Sequence, residues 1–114
     1  MKKAIVTGGA GFIGSHLVDE LIKQGVEVTI LDNLSTGKKE NINPKATFIE
    51  CDISTTSHID LTFYINGVDT IFHLAAKTTV QESINKPSLY NNINVVGTLN
   101  LLEAAAAMKV KRFI

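Results

Sequence analysis

The sequence predicts an α/β protein built on a doubly wound parallel sheet, and three observations carry that prediction. Short apolar runs alternate with longer amphipathic stretches, the order expected of strands joined by crossover helices. The first apolar run, Ala4 to Thr7, feeds straight into a glycine-rich turn, Gly8-Gly9-Ala10-Gly11-Phe12-Ile13-Gly14. A later run, Val68 to Ala76, is apolar on both faces, as a central parallel strand must be.

Ala4 to Thr7 is the first strand. Ile13, Leu17, Val18, Leu21 and Ile22 then form a helical stripe, with Asp19, Glu20 and Lys23 on the other side. Gln24-Gly25 ends this helix with a glycine just past its C-terminus. Glu27 to Leu31 is the second strand and finishes at Asp32. Asn33 to Asn41 is polar and aperiodic, a surface loop, and Pro44 closes the region. Ala46 to Glu50 is the third strand, followed by Cys51-Asp52-Ile53. Ser54 to Asn66 is weakly patterned, helical or irregular, and Gly67 breaks it. After the fourth strand, Val68 to Ala76, a polar loop runs from Lys77 to Lys86, and Pro87 starts a helix over roughly Ser88 to Met108. That helix carries two apolar faces: Leu89, Ile93, Val96, Ala104 and Met108 on one side, Val95, Leu99, Leu102 and Ala106 on the other. One face can cover the sheet, so the second calls for another partner. Lys109 to Lys111 turn the chain into Arg112-Phe113-Ile114, the start of a fifth strand.

The glycine turn is the chemically informative part. Glycine lets the backbone turn sharply and lets a phosphate approach with no Cβ in the way. The spacing fits both Gly9-x-Gly11-x-x-Gly14 and Gly8-x-x-Gly11-x-x-Gly14. A triphosphate-binding loop is excluded, because Ser15 and His16 follow Gly14 where that motif needs Lys and Ser or Thr. A glycine turn alone can be purely structural. Here a strand precedes it, a helix follows it, and Asp32 stands at the tip of the second strand about 20 positions on, placed to accept both ribose hydroxyls of an adenosine. Together these select a dinucleotide, with its pyrophosphate at the helix N-terminus.

Size and composition narrow the rest. A chain of 114 residues makes one domain at most. Zero formal net charge leaves no electrostatic footprint for nucleic acid or an anionic membrane. No apolar run approaches the roughly 18 residues that span a bilayer. Lys2-Lys3 before Ala-Ile-Val is no secretory signal, since glycines interrupt the apolar part, and the acceptor pattern Asn33-Leu34-Ser35 then has no glycosylation to receive. The single Cys51 forms no internal disulfide and reads as a small buried hydrophobe in a reducing compartment, so the chain reads as cytoplasmic. His16 reads as a helix-surface residue and His73 as a strand histidine satisfied by a hydrogen bond. Neither has a metal-ligating neighbour at suitable spacing.

Five segments occur in a telling order: Thr7-Gly8-Gly9-Ala10-Gly11-Phe12-Ile13-Gly14-Ser15-His16, Leu31-Asp32-Asn33, Asp52-Ile53, His73-Leu74-Ala75-Ala76 and Asn94-Val95-Val96-Gly97-Thr98-Leu99. Together they resemble the N-terminal part of extended short-chain dehydrogenase/reductases. Among these the resemblance is to NAD-dependent nucleotide-sugar epimerases and dehydratases, the UDP-glucose 4-epimerase branch above all. It implies a Rossmann-type NAD-binding domain, cut after strands one to four and the start of strand five. It also implies contacts. Gly8, Gly11 and Gly14 form the turn, and the N–H groups of Phe12 and Ile13 meet the pyrophosphate. Asp32 holds the adenosine ribose with Asn33 beside it. Asp52 accepts from the adenine amino group, and the Ile53 N–H donates to a ring nitrogen. Leu74, Ala75 and Ala76 floor the cofactor's ribose and pyrophosphate, and Asn94 reaches that region from the last helix. Lys77 departs from the pattern, standing where these epimerases often carry Gln.

The family's chemistry needs a Ser or Thr near the end of strand five and a Tyr-x-x-x-Lys pair. Four positions after Tyr64 stands Val68, and four after Tyr90 stands Asn94, so these residues supply neither pair nor substrate domain. The resemblance thus implies an inactive cofactor-binding portion whose parent handles a nucleotide sugar and dimerises through the 88–108 helix. A dehydratase or decarboxylase, or a dinucleotide-binding module that catalyses nothing, fits the same residues.

Overall fold

The computed structural model describes residues Met1 to Ile114. Five strands form one parallel sheet: β1 (Lys3–Thr7), β2 (Glu27–Asp32), β3 (Thr47–Glu50), β4 (Thr70–His73) and β5 (Arg112–Phe113), in the spatial order β3-β2-β1-β4-β5. From β1 the chain steps outward to β2 and β3, then returns to the other side of β1 with β4. The strand order therefore reverses between β1 and β4, and a crevice opens there at the carboxyl ends.

Strand alternation divides the core in two. Ala4 and Val6 of β1, with Val28 and Ile30 of β2, face α1 (Phe12–Lys23), where Val18 and Leu21 close on them. Ile5, Leu31 and Ile71 point the opposite way, toward α2 (His58–Ile65) and α5 (Gly97–Ala107). Leu61, Ile65, Leu101, Ala104 and Ala105 complete that second core. Each fully buried Ile or Leu here contributes about 1.5–3 kcal/mol by leaving water.

Several elements differ from the sequence expectation. The fourth strand is shorter than Val68 to Ala76, because Leu74, Ala75 and Ala76 leave the ladder to form the crevice floor. The expected loop Lys77 to Lys86 contains a short helix, α3 (Val80–Asn85). The long final helix is three pieces in sequence: α4 (Pro87–Asn91), a π turn over Asn92–Val96, and α5. A π turn adds a residue to the local ring and rotates the downstream face. Gly97, Leu101 and Ala105 consequently join Ala104 in the core, while Leu89 stays partly exposed and Ile93 and Val96 are half-buried. The second face does remain uncovered: Val95, Leu99 and Leu102 are 58%, 52% and 41% exposed. No helix is long and apolar enough to cross a membrane.

Candidate functional site

The glycine turn is fixed by close packing. Gly8 has φ +72, a left-handed conformation, and a Cβ there would stand 3.0 Å from the Ala75 backbone nitrogen. A Cβ on Gly14 would collide with the Gly8 carbonyl oxygen, so α1 can begin beneath the turn only with glycine at that position. Gly9 instead faces the Ile30 side chain. The spacing Gly8-x-x-Gly11-x-x-Gly14 is therefore the one that shapes the crevice. Ser15 is the first residue of α1 to bond back, donating to the Gly11 carbonyl at 2.9 Å. The N–H groups of Phe12, Ile13 and Gly14 make no hydrogen bond within the chain, and the helix dipole adds partial positive charge at the same point.

Around this turn lies an open cleft. It brings together Gly8, Gly11, Asp32, Asn33, Asp52, Ile53, Leu74, Ala75 and Ala76 of the residues singled out by sequence. Phe12 and Ile13 expose their side chains to solvent, and Gly14 packs under the turn. Asn94 does not line the cleft. Its Oδ1 accepts from the Lys77 N–H at 2.8 Å, and its Nδ2 donates to the Lys77 carbonyl at 3.0 Å. Asn94 thus fastens the floor loop from behind.

Asp32 is buried at the tip of β2. Its Oδ2 accepts from the Ala10 N–H at 3.0 Å and its Oδ1 from the Leu34 N–H at 2.7 Å. The carboxylate consequently ties the glycine turn to the loop after β2 while keeping unused lone pairs. Asp52 is half-buried, its Oδ1 accepting from the Ser54 N–H at 2.8 Å and the Ser54 hydroxyl at 2.5 Å. The neighbouring Ile53 N–H makes no hydrogen bond within the chain, while the Ile53 side chain is buried in the core.

Sequence reasoning missed one wall of the cleft. Ser35, Thr36 and Gly37 line it, because the loop after β2 folds back onto Ala10. The Ala10 carbonyl accepts from the Lys38 N–H at 3.1 Å and from Asn41 Nδ2 at 3.2 Å. A Cβ on Gly37 would stand 2.9 Å from the Ala10 Cβ, and that glycine was the available signal. Cys51 also lines the cleft, half-buried, instead of sitting wholly in the core. Burial, with the Asp52 and Asp32 carboxylates near, pushes its thiol up from the usual range, so it stays protonated.

Lys77 is the cation of the cleft lining. Its ammonium lies 3.6 Å from Glu82 Oε1, and the Tyr90 hydroxyl donates to that same oxygen at 2.9 Å. The Tyr90 bond first, then the Lys77 charge, lowers the Glu82 pKa. His16 is exposed on α1, edge-on to Phe12 at 5.0 Å between ring centroids. No group of three His, Cys, Asp or Glu side chains could hold a metal ion.

A parallel sheet with its crevice at the strand-order reversal, a glycine turn under a helix N-terminus and a carboxylate ending β2 defines a Rossmann-type dinucleotide-binding domain. The chain belongs to the NAD dependent epimerase/dehydratase family, whose model matches residues 4–114. A UDP-glucose 4-epimerase of Lactobacillus helveticus is 41% identical, aligned over 98% of this chain and 34% of the relative. Among solved structures, UDP-glucose 4-epimerase of Thermotoga maritima with UDP-glucose matches at TM-score 0.91 and 42% identity, over 97% of this chain and 36% of that one. The Thermus thermophilus UDP-glucose 4-epimerase complex with NAD matches at TM-score 0.89 and 38% identity, again over 97% and 36%. The chain spans about a third of the length of these relatives. It corresponds to the N-terminal, NAD-binding part of UDP-glucose 4-epimerase-like proteins.

Proposed function

We propose that the cleft binds NAD and that the chain serves as the cofactor-binding portion of a cytoplasmic nucleotide-sugar 4-epimerase. The observation that carries this reading is the pairing of unbonded N–H groups at Phe12 and Ile13 with the buried Asp32 carboxylate at the next strand tip. The first suits a pyrophosphate and the second a ribose diol. Gly8 packs against the Ala75 backbone and Gly11 against the Gly8 carbonyl, so the turn closes tightly and carries no side chain at either position. Asp52 and the free Ile53 N–H offer one acceptor and one donor, the complement of an adenine edge. Leu74, Ala75 and Ala76 supply an apolar floor.

When bound, NAD would supply the hydride acceptor for transient oxidation at sugar C4, followed by re-reduction. These residues bind and orient the cofactor and shield one face from water. They offer no catalytic base, since neither Tyr64 nor Tyr90 is followed four residues on by Lys. Proton removal from a UDP-sugar, and binding of that sugar, would belong to the longer parent. The parent would form a homodimer through the uncovered face of the α4–α5 helix, at Val95, Leu99, Leu102 and Ala106.

Calorimetric titration of the 114-residue chain with NAD, beside an assay of UDP-glucose and UDP-galactose interconversion, tests both halves. Weak but saturable NAD binding with no turnover is the expected result. Failure to bind NAD would overturn the cofactor assignment, and turnover above background would require a catalytic base other than Tyr64 or Tyr90.

A further inference from the structure

His73 sits at the end of β4 behind the cleft, and its hydrogen bonds leave only one arrangement of protons. The Thr7 hydroxyl oxygen accepts from the Leu74 N–H at 3.0 Å and the Ala75 N–H at 3.1 Å. Both its lone pairs are then used, so its proton donates to His73 Nδ1 at 2.7 Å. On the far side of the ring, the Thr98 hydroxyl donates to the Asn94 carbonyl at 2.6 Å. Thr98 can therefore only accept from His73, and Nε2–H donates to it at 2.8 Å. The ring is the neutral Nε2–H tautomer, one acceptor and one donor, bridging β1 to the helix that carries Asn94.

That bridge reaches both ends of the cleft floor. Thr7 holds the amides of Leu74 and Ala75, while Asn94 holds both backbone groups of Lys77. We propose that His73 is a positioning residue for dinucleotide binding, its neutral ring fixing the Leu74–Lys77 floor, and that a proton added to the ring unfastens that floor. The binding half of this statement rests on the NAD reading above.

The local environment supports a neutral ring. Thr7 faces it from β1, Thr98 and the Asn94 carbonyl from the helix, and the Phe113 ring from β5 at 5.8 Å between centroids. None of these is titratable; the charged group beside the residue is the terminal carboxylate of Ile114, whose oxygen accepts from the His73 backbone N–H at 2.7 Å. Burial accordingly lowers the His73 pKa from its ordinary 6.5. A protonated ring would aim Nδ1–H at a Thr7 oxygen already accepting twice, so a floor amide must let go; Ala75 has only that oxygen, whereas the Leu74 N–H is also held by the Thr7 carbonyl at 3.2 Å.

The folded, binding-competent form disfavours the proton, so affinity is full at neutral pH and falls as pH drops through the lowered pKa, by up to about ten-fold per pH unit. Three measurements on the 114-residue chain test this, each from pH 7.5 to 5.0. Ring-nitrogen NMR should show the Nε2–H tautomer at neutral pH. Amide exchange at Ala75 should accelerate beyond its intrinsic pH dependence in wild type and not in His73→Gln, whose amide keeps one donor and one acceptor without titrating. NAD affinity should fall in wild type and stay flat in the variant. An Nδ1–H tautomer, or an Ala75 amide that stays protected once the ring is protonated, would overturn the proposal. Absence of NAD binding at pH 7.5 would count against the NAD reading instead, while the exchange data still decide the role of His73.

Discussion

Replacing Asp32 with Asn separates the two tasks assigned to that carboxylate. Its oxygens accept from Ala10 and Leu34 at 3.0 and 2.7 Å. Asn keeps the shape but presents an NH2 to one of those N–H donors. Losing one hydrogen bond to a charged group costs about 1.5–3 kcal/mol, and at roughly 4 °C per kcal/mol this lowers Tm by about 6–12 °C. The charge matters separately for cofactor choice. A 2′-phosphate about 4 Å from the carboxylate meets a repulsion of about 4 kcal/mol per unit charge at an effective dielectric of 20. Partial screening still leaves at least about 100-fold preference for NAD over NADP in wild type. Asp32→Asn should weaken NAD by about ten-fold or more and shrink the NAD/NADP ratio to within about ten-fold. Calorimetric titration of both cofactors on both proteins, with a thermal melt, reads all three numbers. A ratio unchanged by the substitution would refute the argument. Equal NADP binding by wild type would move the 2′-phosphate to Lys38 or Lys39, both exposed on the adjoining loop.

Three other outcomes follow from the geometry. Gly14→Ala forces a Cβ into the Gly8 carbonyl, so stability should drop by about 3 kcal/mol in a denaturant melt and NAD binding should disappear with it. Leu99→Glu with Leu102→Glu in the full-length parent should shift a dimer toward monomer in analytical ultracentrifugation, because both side chains lie on the uncovered face; an unchanged dimer would place the interface elsewhere. Asp69 accepts from the Lys3 and Lys2 N–H groups, which pull its pKa from 3.8 to about 2. Its folded pKa is depressed, so its contribution is full above about pH 4 and fades toward pH 2. Asp69→Asn should therefore melt below wild type at pH 6, with the gap closing by pH 2.

The legible parts of this chain were those with a strong period or a special backbone requirement. The β1–turn–α1 unit announced itself because an apolar run, three cleft-shaping glycines and a helical stripe follow without interruption. Asp32 and Asp52 were placed by strand ends, which parallel sheets bring to one edge. The short helix α3 was not legible: six residues including Ser83 and Asn85 give too few turns for a period to emerge. The π turn at Asn92–Val96 was invisible for a different reason. Periodicity assumes a constant advance per residue, so the stripe through Leu89, Ile93 and Val96 was continued straight into Ala104, and Leu101 and Ala105 were missed. The role of Asn94 toward Lys77 depends on the same rotation. The wall built by Ser35, Thr36 and Gly37 depends on a fold-back onto Ala10, a contact between segments that no local pattern records.

The two cores differ in how much chain each requires. The one beneath α1 draws all its buried residues from Ala4 to Ile30, whereas the one beneath α2 and α5 runs from Ile5 to Ala105. On a ribosome the first could close as soon as β2 has emerged, from contacts of short loop length. The second must wait until α5 is synthesised, leaving Ile5 and Leu31 uncovered on a half-built sheet meanwhile. Synthesis would thus complete the glycine turn early and the cleft floor late, and the interval between them is when the nascent chain offers its longest bare strand edge to other chains.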